Sequence, residues 1–408
     1  MILFIAPNPF KAKKREGFLQ RVAAIDEIFS GEKKVYFDDI TNIEEQAKLL
    51  IKADLIYVHS MYNANKIAGC YEEFGHKIVT DLHGVVPEEE EYIDNMEVAR
   101  IMAATEATTF RYGKHFVAVS EMMVRHFDDK YPSKQKRSWI VLPIHNASST
   151  GGIADDDIVK KNTTTVIYAG GGQGWQNVDM MVDAINQVKD ASFVILTHDQ
   201  EAFKSISEDA KSRVVLKSVK SGDVAKYYKA ASLGFILRKD TLVNRVACPT
   251  KLIEYLCYGV VPIVLTENIG DFKLLGYKYI TLKQFLVGKL ADELIAEYAK
   301  ENRSVYEEFV KQANEGRKSL LETEKLIREK RKQGHGHLNV DSVKIRLTFQ
   351  EKENTLLRYE YQIEAYQKKV GEYAELADHY RRKYGELEAN LKKGEFLRGI
   401  VKKMKKRV

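Results

Sequence analysis

The stretch Leu237-Arg-Lys-Asp-Thr-Leu-Val-Asn-Arg-Val-Ala-Cys-Pro-Thr-Lys-Leu-Ile-Glu-Tyr-Leu-Cys-Tyr-Gly-Val-Val-Pro-Ile-Val-Leu265 holds a strand end, a loop, a helix and a second strand. A β-branched and aromatic run ends at Arg238, and the polar loop after it carries Asp240 and Asn244. Pro249 suits the first helical position, where its missing N–H costs nothing. Gly259 is placed to end the helix, and Val260–Leu265 follows at once as a strand. Strand, helix, strand in this order is the βαβ unit of a parallel sheet.

The start of that helix also carries chemistry. Free N–H groups and the helix dipole bind phosphate. Thr250, Lys251 and Glu254 share one helix face by their spacing. Glu254 lies too deep to be a cap. A carboxylate one turn below a phosphate suits a bidentate grip on vicinal hydroxyls, such as those of a ribose.

Outward from this unit the same alternation repeats. Toward the N-terminus, strand-like runs fall at Ile2–Ala6, Lys34–Phe37, Leu55–His59, Lys77–Asp81, Phe116–Ser120 and Trp139–Ile144. A polar stretch without periodicity follows, and 148–163 reads as a linker. Further runs lie at Thr165–Ala169, Phe193–Thr197, Arg213–Leu216, Leu233–Arg238, Val260–Leu265 and Lys278–Leu282. The expected fold is α/β: two doubly wound Rossmann-like domains, 1–147 and 164–330, the second with closing helices. The cleft between them is the expected site, because such sheets bind ligands beyond the carboxyl ends of their strands.

Residues 290–330 read as helix, and the segment around His335 and His337 as a break. From Leu356 an apolar 3-4 repeat runs through Tyr359, Ile363, Tyr366, Val370 and Tyr373 to Leu391 without a slip. That predicts a coiled coil over 345–393, paired with a second copy of the chain, with dimer and trimer both open. The alternative is one amphipathic helix lying on its own body. The tail 394–408 places apolar residues on one helical face and lysines on the other, which fits an anionic membrane surface. A solvated charge run, or a calmodulin-like or nucleic-acid contact, is the other reading.

Composition bounds the rest. The chain has 408 residues, 44% apolar and 30% charged, enough for the two or three domains that ~100–200 residues per domain allow. The longest apolar runs are far too short to span a bilayer, and the N-terminus starts apolar with no basic region before it. Cys70, Cys248 and Cys257 form no metal or disulfide pattern, so the expected location is the cytoplasm, peripheral on the inner face of the membrane. Residues 392–408 carry eight basic residues against one acidic, leaving a nearly neutral body and no sign of nucleic-acid binding. No metal or bound cofactor is expected.

The segment Pro249-Thr-Lys-Leu-Ile-Glu-Tyr-Leu-Cys-Tyr-Gly-Val-Val-Pro-Ile-Val264 resembles the nucleotide-sugar-binding segment of retaining GT-B glycosyltransferases of the glycogen-synthase-like and sucrose-synthase-like group. Three further segments resemble theirs. Asp81-Leu-His-Gly is similar to their loop with a sugar-facing histidine, Val117-Ala-Val-Ser-Glu to a late strand of the first domain, and Tyr168-Ala-Gly-Gly-Gly-Gln-Gly-Trp to the opening of the second. The resemblance covers roughly residues 1–330. It implies that Glu254 holds the ribose, that His83 lies by the transferred sugar, and that Gly170, Gly171 and Gly172, with Gln173 and Trp175, approach the donor. Glu16 and Gly17 resemble the first glycine loop on the acceptor side. The departures are definite. The first glutamate of the E-x7-E motif falls at Val246, and two usual phosphate cations fall at Gly171 and Gln176. Arg238 and Lys251 are the expected replacements, with Asp240 or Asn244 standing near the missing glutamate.

The expectation is transfer of a sugar, with retention and without a metal, from a nucleotide-diphosphate donor to a saccharide acceptor, lipid-linked or cell-surface-bound. A non-catalytic scaffold of a polysaccharide-synthesis complex and a sugar-nucleotide epimerase are the alternatives.

Overall fold

The computed structural model describes residues 1–12, 17–143, 162–288, 290–331 and 339–405. The chain divides into two units, Met1–Glu351 and Lys352–Val408. The first unit holds two six-stranded sheets, every strand pair parallel. Strands β1 (Ile2–Ile5), β2 (Lys34–Tyr36), β3 (Leu55–His59), β4 (Ile78–Leu82), β5 (His115–Ala118) and β6 (Ser138–Val141) run in the order β2-β1-β3-β4-β5-β6. Strands β7 (Asn162–Ala169), β8 (Ser192–Leu196), β9 (Val214–Lys217), β10 (Ala231–Ile236), β11 (Val261–Val264) and β12 (Ile280–Thr281) run β12-β11-β10-β7-β8-β9. Each order reverses once, between β1 and β3 and between β7 and β10. A crevice opens at such a switch point.

The sequence placed these strands because helices cover both faces of each sheet. Central strands such as β1, β3, β4, β10 and β11 are buried along their whole length and so are largely apolar, with His59 and Asp81 the charge-bearing exceptions near the carboxyl ends of β3 and β4. The expected strand at 278–282 shrinks to Ile280–Thr281. Thr281 leaves the sheet to cap the helix Leu282–Val287, with Gln284 completing a capping box. The expected linker 148–163 falls largely outside the described residues.

The helix Asp292–Arg331 shows what the closing segment does. Ile295 and Ala299 join the core of the second sheet, whereas Ala313, Leu320 and Ile327 join the core of the first. Its second half therefore packs with the first domain, not with the 164–330 domain to which the sequence assigned it. Near its end Arg328 pairs with Asp54 at 3.2 Å and with Glu32 at 2.6 Å. A second tie is buried Asp271, which accepts from the backbone N–H groups of Glu121 at 2.7 Å and Met122 at 3.0 Å. A carboxylate of one domain thus caps the helix Glu121–Lys130 of the other.

The helix Val340–Lys405 begins in the first unit, where Val343 and Leu347 are buried, and continues into the second. The expected coiled-coil segment 345–393 lies on it. Along the repeat, Leu356, Tyr359, Ile363, Tyr366, Val370 and Tyr373 are each at least 55% exposed. Glu16, His335, His337 and most side chains of 394–408 lie outside the described residues. Among the described residues no helix is long and apolar enough to cross a membrane.

Candidate functional site

The second domain builds its part of the site at the β7/β10 switch point. The helix after the loop runs Thr250–Cys257, starting one position later than expected, with Pro249 at the cap. The helix ends as its sequence demands. Gly259 takes a φ of 61°, and Val260 N–H donates to Tyr255 O at 2.8 Å while Gly259 N–H donates to Leu256 O at 3.2 Å.

Lys251 reaches from this helix across the turn that follows β7. Its Nζ lies 3.7 Å from the centre of the Tyr168 ring and 3.4 Å from Gln176 Oε1. A Cβ on Gly170 would stand 2.7 Å from that ammonium, so glycine is what lets the lysine lie there. Gln176 occupies the position of one missing cation, and Lys251 brings its charge to the same place. The Gly171 carbonyl accepts from Tyr168 Oη at 2.6 Å. Gly172 lies against the Asp199 carboxylate, and Gln173 folds over Gly171. Trp175 is half-buried, and its carbonyl accepts from Asn177 Nδ2 at 3.2 Å. Asn177, at a φ of 51°, also donates to Leu237 O at 2.6 Å and ties this turn to the end of β10.

Arg238 enters from that end. Its Nη1 donates to Asn244 Oδ1 at 3.0 Å, and the buried Asn244 is itself held by the Lys239 carbonyl at 2.8 Å. Asn244 therefore positions Arg238. Burial lowers the Arg238 pKa, with Tyr168 and Glu89 opposing. Burial likewise pushes Lys251 well below its ordinary value, the Arg238 charge adds to that push, and Glu254 opposes it. Two cations are thus held together in a partly dehydrated place, and among the described residues neither has an ion-pair partner. Such an arrangement favours an anion between them.

Glu254 accepts from Tyr228 Oη at 3.0 Å through one carboxylate oxygen. Thr250 is half-buried on the first turn beside Lys251. Asp240 is not brought to the cluster. Its carboxylate accepts from Arg245 Nε at 2.6 Å and Asn268 Nδ2 at 2.8 Å on the exposed side of the loop. Sequence proximity to Arg238 suggested otherwise; the loop turns the two side chains apart.

The first domain supplies a second polar cluster at the carboxyl ends of β3 and β4. Arg21 clamps Asp81 through two bonds, Nε to Oδ2 at 2.8 Å and Nη2 to Oδ1 at 2.7 Å. Burial alone would raise the Asp81 carboxyl, but the Arg21 charge and the bonds from His59 and Arg21 hold it well below the usual carboxylate range. His59 Nδ1 stands 3.5 Å from Asp81 Oδ2, and its ring packs on His83 with centres 4.4 Å apart. Ser60, next in the chain, has a φ of 71°, a strained conformation of the kind that gathers at functional sites. Burial and the neighbouring His59 push His83 down to about 3, so it is neutral near pH 7. Gly17 ends the described part of its loop at a φ of 52°, just before the helix Phe18–Ile28 that carries Arg21.

Three of these features were missed from sequence. Arg21 is a charge on the apolar face shared by Val22, Ile25 and Phe29, and that was its signal. Asp81 is the one charged residue of an otherwise uncharged strand. Glu89 folds back so that Oε1 accepts from Val85 N–H at 3.2 Å. Burial pushes Glu89 up to about 7; the Val85 bond and Arg238 oppose this, while Glu88 and Glu90 add to it.

Two parallel Rossmann-like sheets joined by a crossing helix are the GT-B architecture. Anabaena HepE in complex with UDP-glucose is similar to this chain at a TM-score of 0.57 and 13% identity, covering 79% of this chain and 99% of that one. Sucrose-phosphate synthase from Thermosynechococcus elongatus gives 0.53 at 12% identity, covering 86% and 98%. A glycosyltransferase from Rickettsia africae gives 0.53 at 14% identity, covering 80% and 98%. No family profile and no curated protein matches the sequence itself. At these identities the likeness is one of fold.

Proposed function

We propose that this chain is a glycosyltransferase that moves a sugar from a nucleoside-diphosphate donor to a saccharide acceptor, lipid-linked or cell-surface-bound, with retention. The observation that carries the reading is the pairing of Lys251 and Arg238 at the β7/β10 switch point, where among the described residues neither cation has an ion-pair partner. A departing diphosphate develops negative charge, and preorganised cations stabilise it without reorganising. Asn244 keeps Arg238 aimed, and the N-terminus of the Thr250–Cys257 helix adds its N–H groups. The neutral His83 serves a hydroxyl of the sugar, since an uncharged imidazole donates and accepts without binding phosphate strongly.

HepE was crystallised with UDP and with UDP-glucose, which makes uridine the first base to test. A thermal-shift series with UDP, GDP, CDP and their sugars tests the donor site. A nucleotide at a hundred times its Kd adds about 2.7 kcal/mol to the native state. No shift with any of them would sink the reading.

One observation favours a second reading, a scaffold that binds donor without turnover. Asp240, the carboxylate expected near the missing glutamate at Val246, is engaged by Arg245 and Asn268 instead. Release of free nucleotide from the stabilising donor, measured with and without added saccharide, separates the two. The proposal includes two further partners: a second copy of the chain through the apolar repeat, exposed over 356–387, and the anionic inner face of the cell membrane through the basic segment 394–408.

A further inference from the structure

We infer that two copies of the helical segment pair antiparallel, with Leu356 of one copy beside Leu387 of the other. The inference rests on the self-association proposed above and adds its direction. The repeat assigns each apolar residue to one of two alternating core positions. Leu356, Ile363, Val370, Ala377 and Tyr384 take the first, and Tyr359, Tyr366, Tyr373, Tyr380 and Leu387 the second. A parallel pair stacks like on like. It would press four successive tyrosines each against its own copy, and would leave Ala377 facing Ala377 between tyrosine layers. Cores are packed to crystal-like density, so alternate overfilled and underfilled layers are costly.

An antiparallel pair sets the first position of one helix against the second of the other. In the register that places Leu356 by Leu387, Tyr366 meets Ala377, Tyr373 meets Val370 and Tyr380 meets Ile363. Large faces small in each of these layers. Tyr359 meets Tyr384, the one aromatic pair, next to the leucines at the end. Two strands rather than three leave the phenol hydroxyls at the rim, where water satisfies them. The flanking charges agree with a second copy as occupant: Glu360 of one helix faces Arg381 of the other, twice by symmetry, and both are exposed here. A parallel pair offers Lys383 against Glu388 instead, so charge admits both directions and side-chain volume chooses. Every residue named in the layers is exposed in the single chain.

Cysteine pairing in the full-length protein tests the direction. Cys70, Cys248 and Cys257 are buried and remain silent under mild oxidation. Leu356→Cys and Leu387→Cys are made separately, and light scattering is run on the wild type. The expected result is twice the monomer mass, little disulfide in either variant alone, and a disulfide-linked pair when the two variants are mixed and allowed to exchange. In an antiparallel pair Leu356 lies ~46 Å along the axis from its own copy, beyond any disulfide. Ready disulfide formation in each variant alone means a parallel pair and overturns the inference. No disulfide in any sample overturns the register. A monomer mass overturns the self-association beneath it, and a trimer mass overturns the two-stranded pairing. UDP thermal shifts on both variants keep these outcomes separate from any failure of the donor site.

Discussion

Ser120 Oγ donates to the carbonyl oxygen of Val246 at 2.6 Å, across the junction of the two sheet domains. Ser120 caps the helix Glu121–Lys130 with the same oxygen, accepting from Met123 N–H at 3.0 Å. Val246 is itself buried, at the position where the resembling enzymes carry a glutamate. Here that position serves the junction through its backbone.

Asp271→Ala removes the other half of the junction and leaves the N–H groups of Glu121 and Met122 without their cap. Loss of such a cap costs about 0.5–2 kcal/mol. Hydrogen exchange at residues 121–123 should quicken accordingly, while the core of the second sheet stays protected. Unchanged exchange at those amides would show that the cap bears no load.

Lys251→Ala should weaken UDP binding roughly 10- to 100-fold, the effect of losing a charged hydrogen bond worth about 1.5–3 kcal/mol. Glu254→Ala should weaken it by a similar factor if the glutamate holds the ribose. Asn244→Ala should have a smaller effect, because it loosens Arg238 and removes no charge. Calorimetric titration ranks the three; equal affinity in all of them and the wild type would remove the assigned donor site.

Lys251 also sets a pH dependence. Its pKa lies below the ordinary 10.5 because of burial and Arg238. A bound diphosphate favours the charged form, so binding takes up a proton once the pH exceeds the depressed value. UDP affinity should therefore fall with rising pH, in a window below 10.5, and the binding heat should depend on the buffer's ionisation heat. His83, already neutral above about 3, should contribute no titration between pH 5 and 8.

Asp81→Asn strands the buried Arg21 charge and should cost ~3–5 kcal/mol. The double change Arg21→Met with Asp81→Leu should cost less than the single one, since it removes both charges together. Asp81 is depressed in the folded protein, so its contribution is present above the unfolded value, ~3.9, and is lost as the pH falls below it. Chemical denaturation of the three proteins at neutral and acidic pH checks both the order and the sign.

Flotation with vesicles containing an anionic lipid tests the basic segment. Each Lys or Arg near such a surface is worth about 1 kcal/mol, so wild type should float at low salt and sink at high salt. Deletion of 394–408 should abolish flotation; if the truncated chain floats equally well, the membrane contact lies elsewhere or does not exist.

The sequence by itself determined the strands, their division into two sheets, the long helices and the heptad pattern along the last of them. Those features depend on local periodicity and on continuous apolar runs, which a chain displays residue by residue. It also singled out Gly170, Lys251 and Arg238, which the fold brings near one another. Only the tertiary structure decided which side chains meet. Asp240 and Asn244 are four residues apart in one loop, yet one is spent on Arg245 and Asn268 and the other aims Arg238. Arg21 and Asp81 are 60 residues apart and form the buried pair beneath His59. The long helix crosses from the second core to the first because its apolar residues are divided between the two, Ile295 and Ala299 in one and Ala313, Leu320 and Ile327 in the other. Long-range pairing of this kind depends on packing geometry, to which no local pattern is tied.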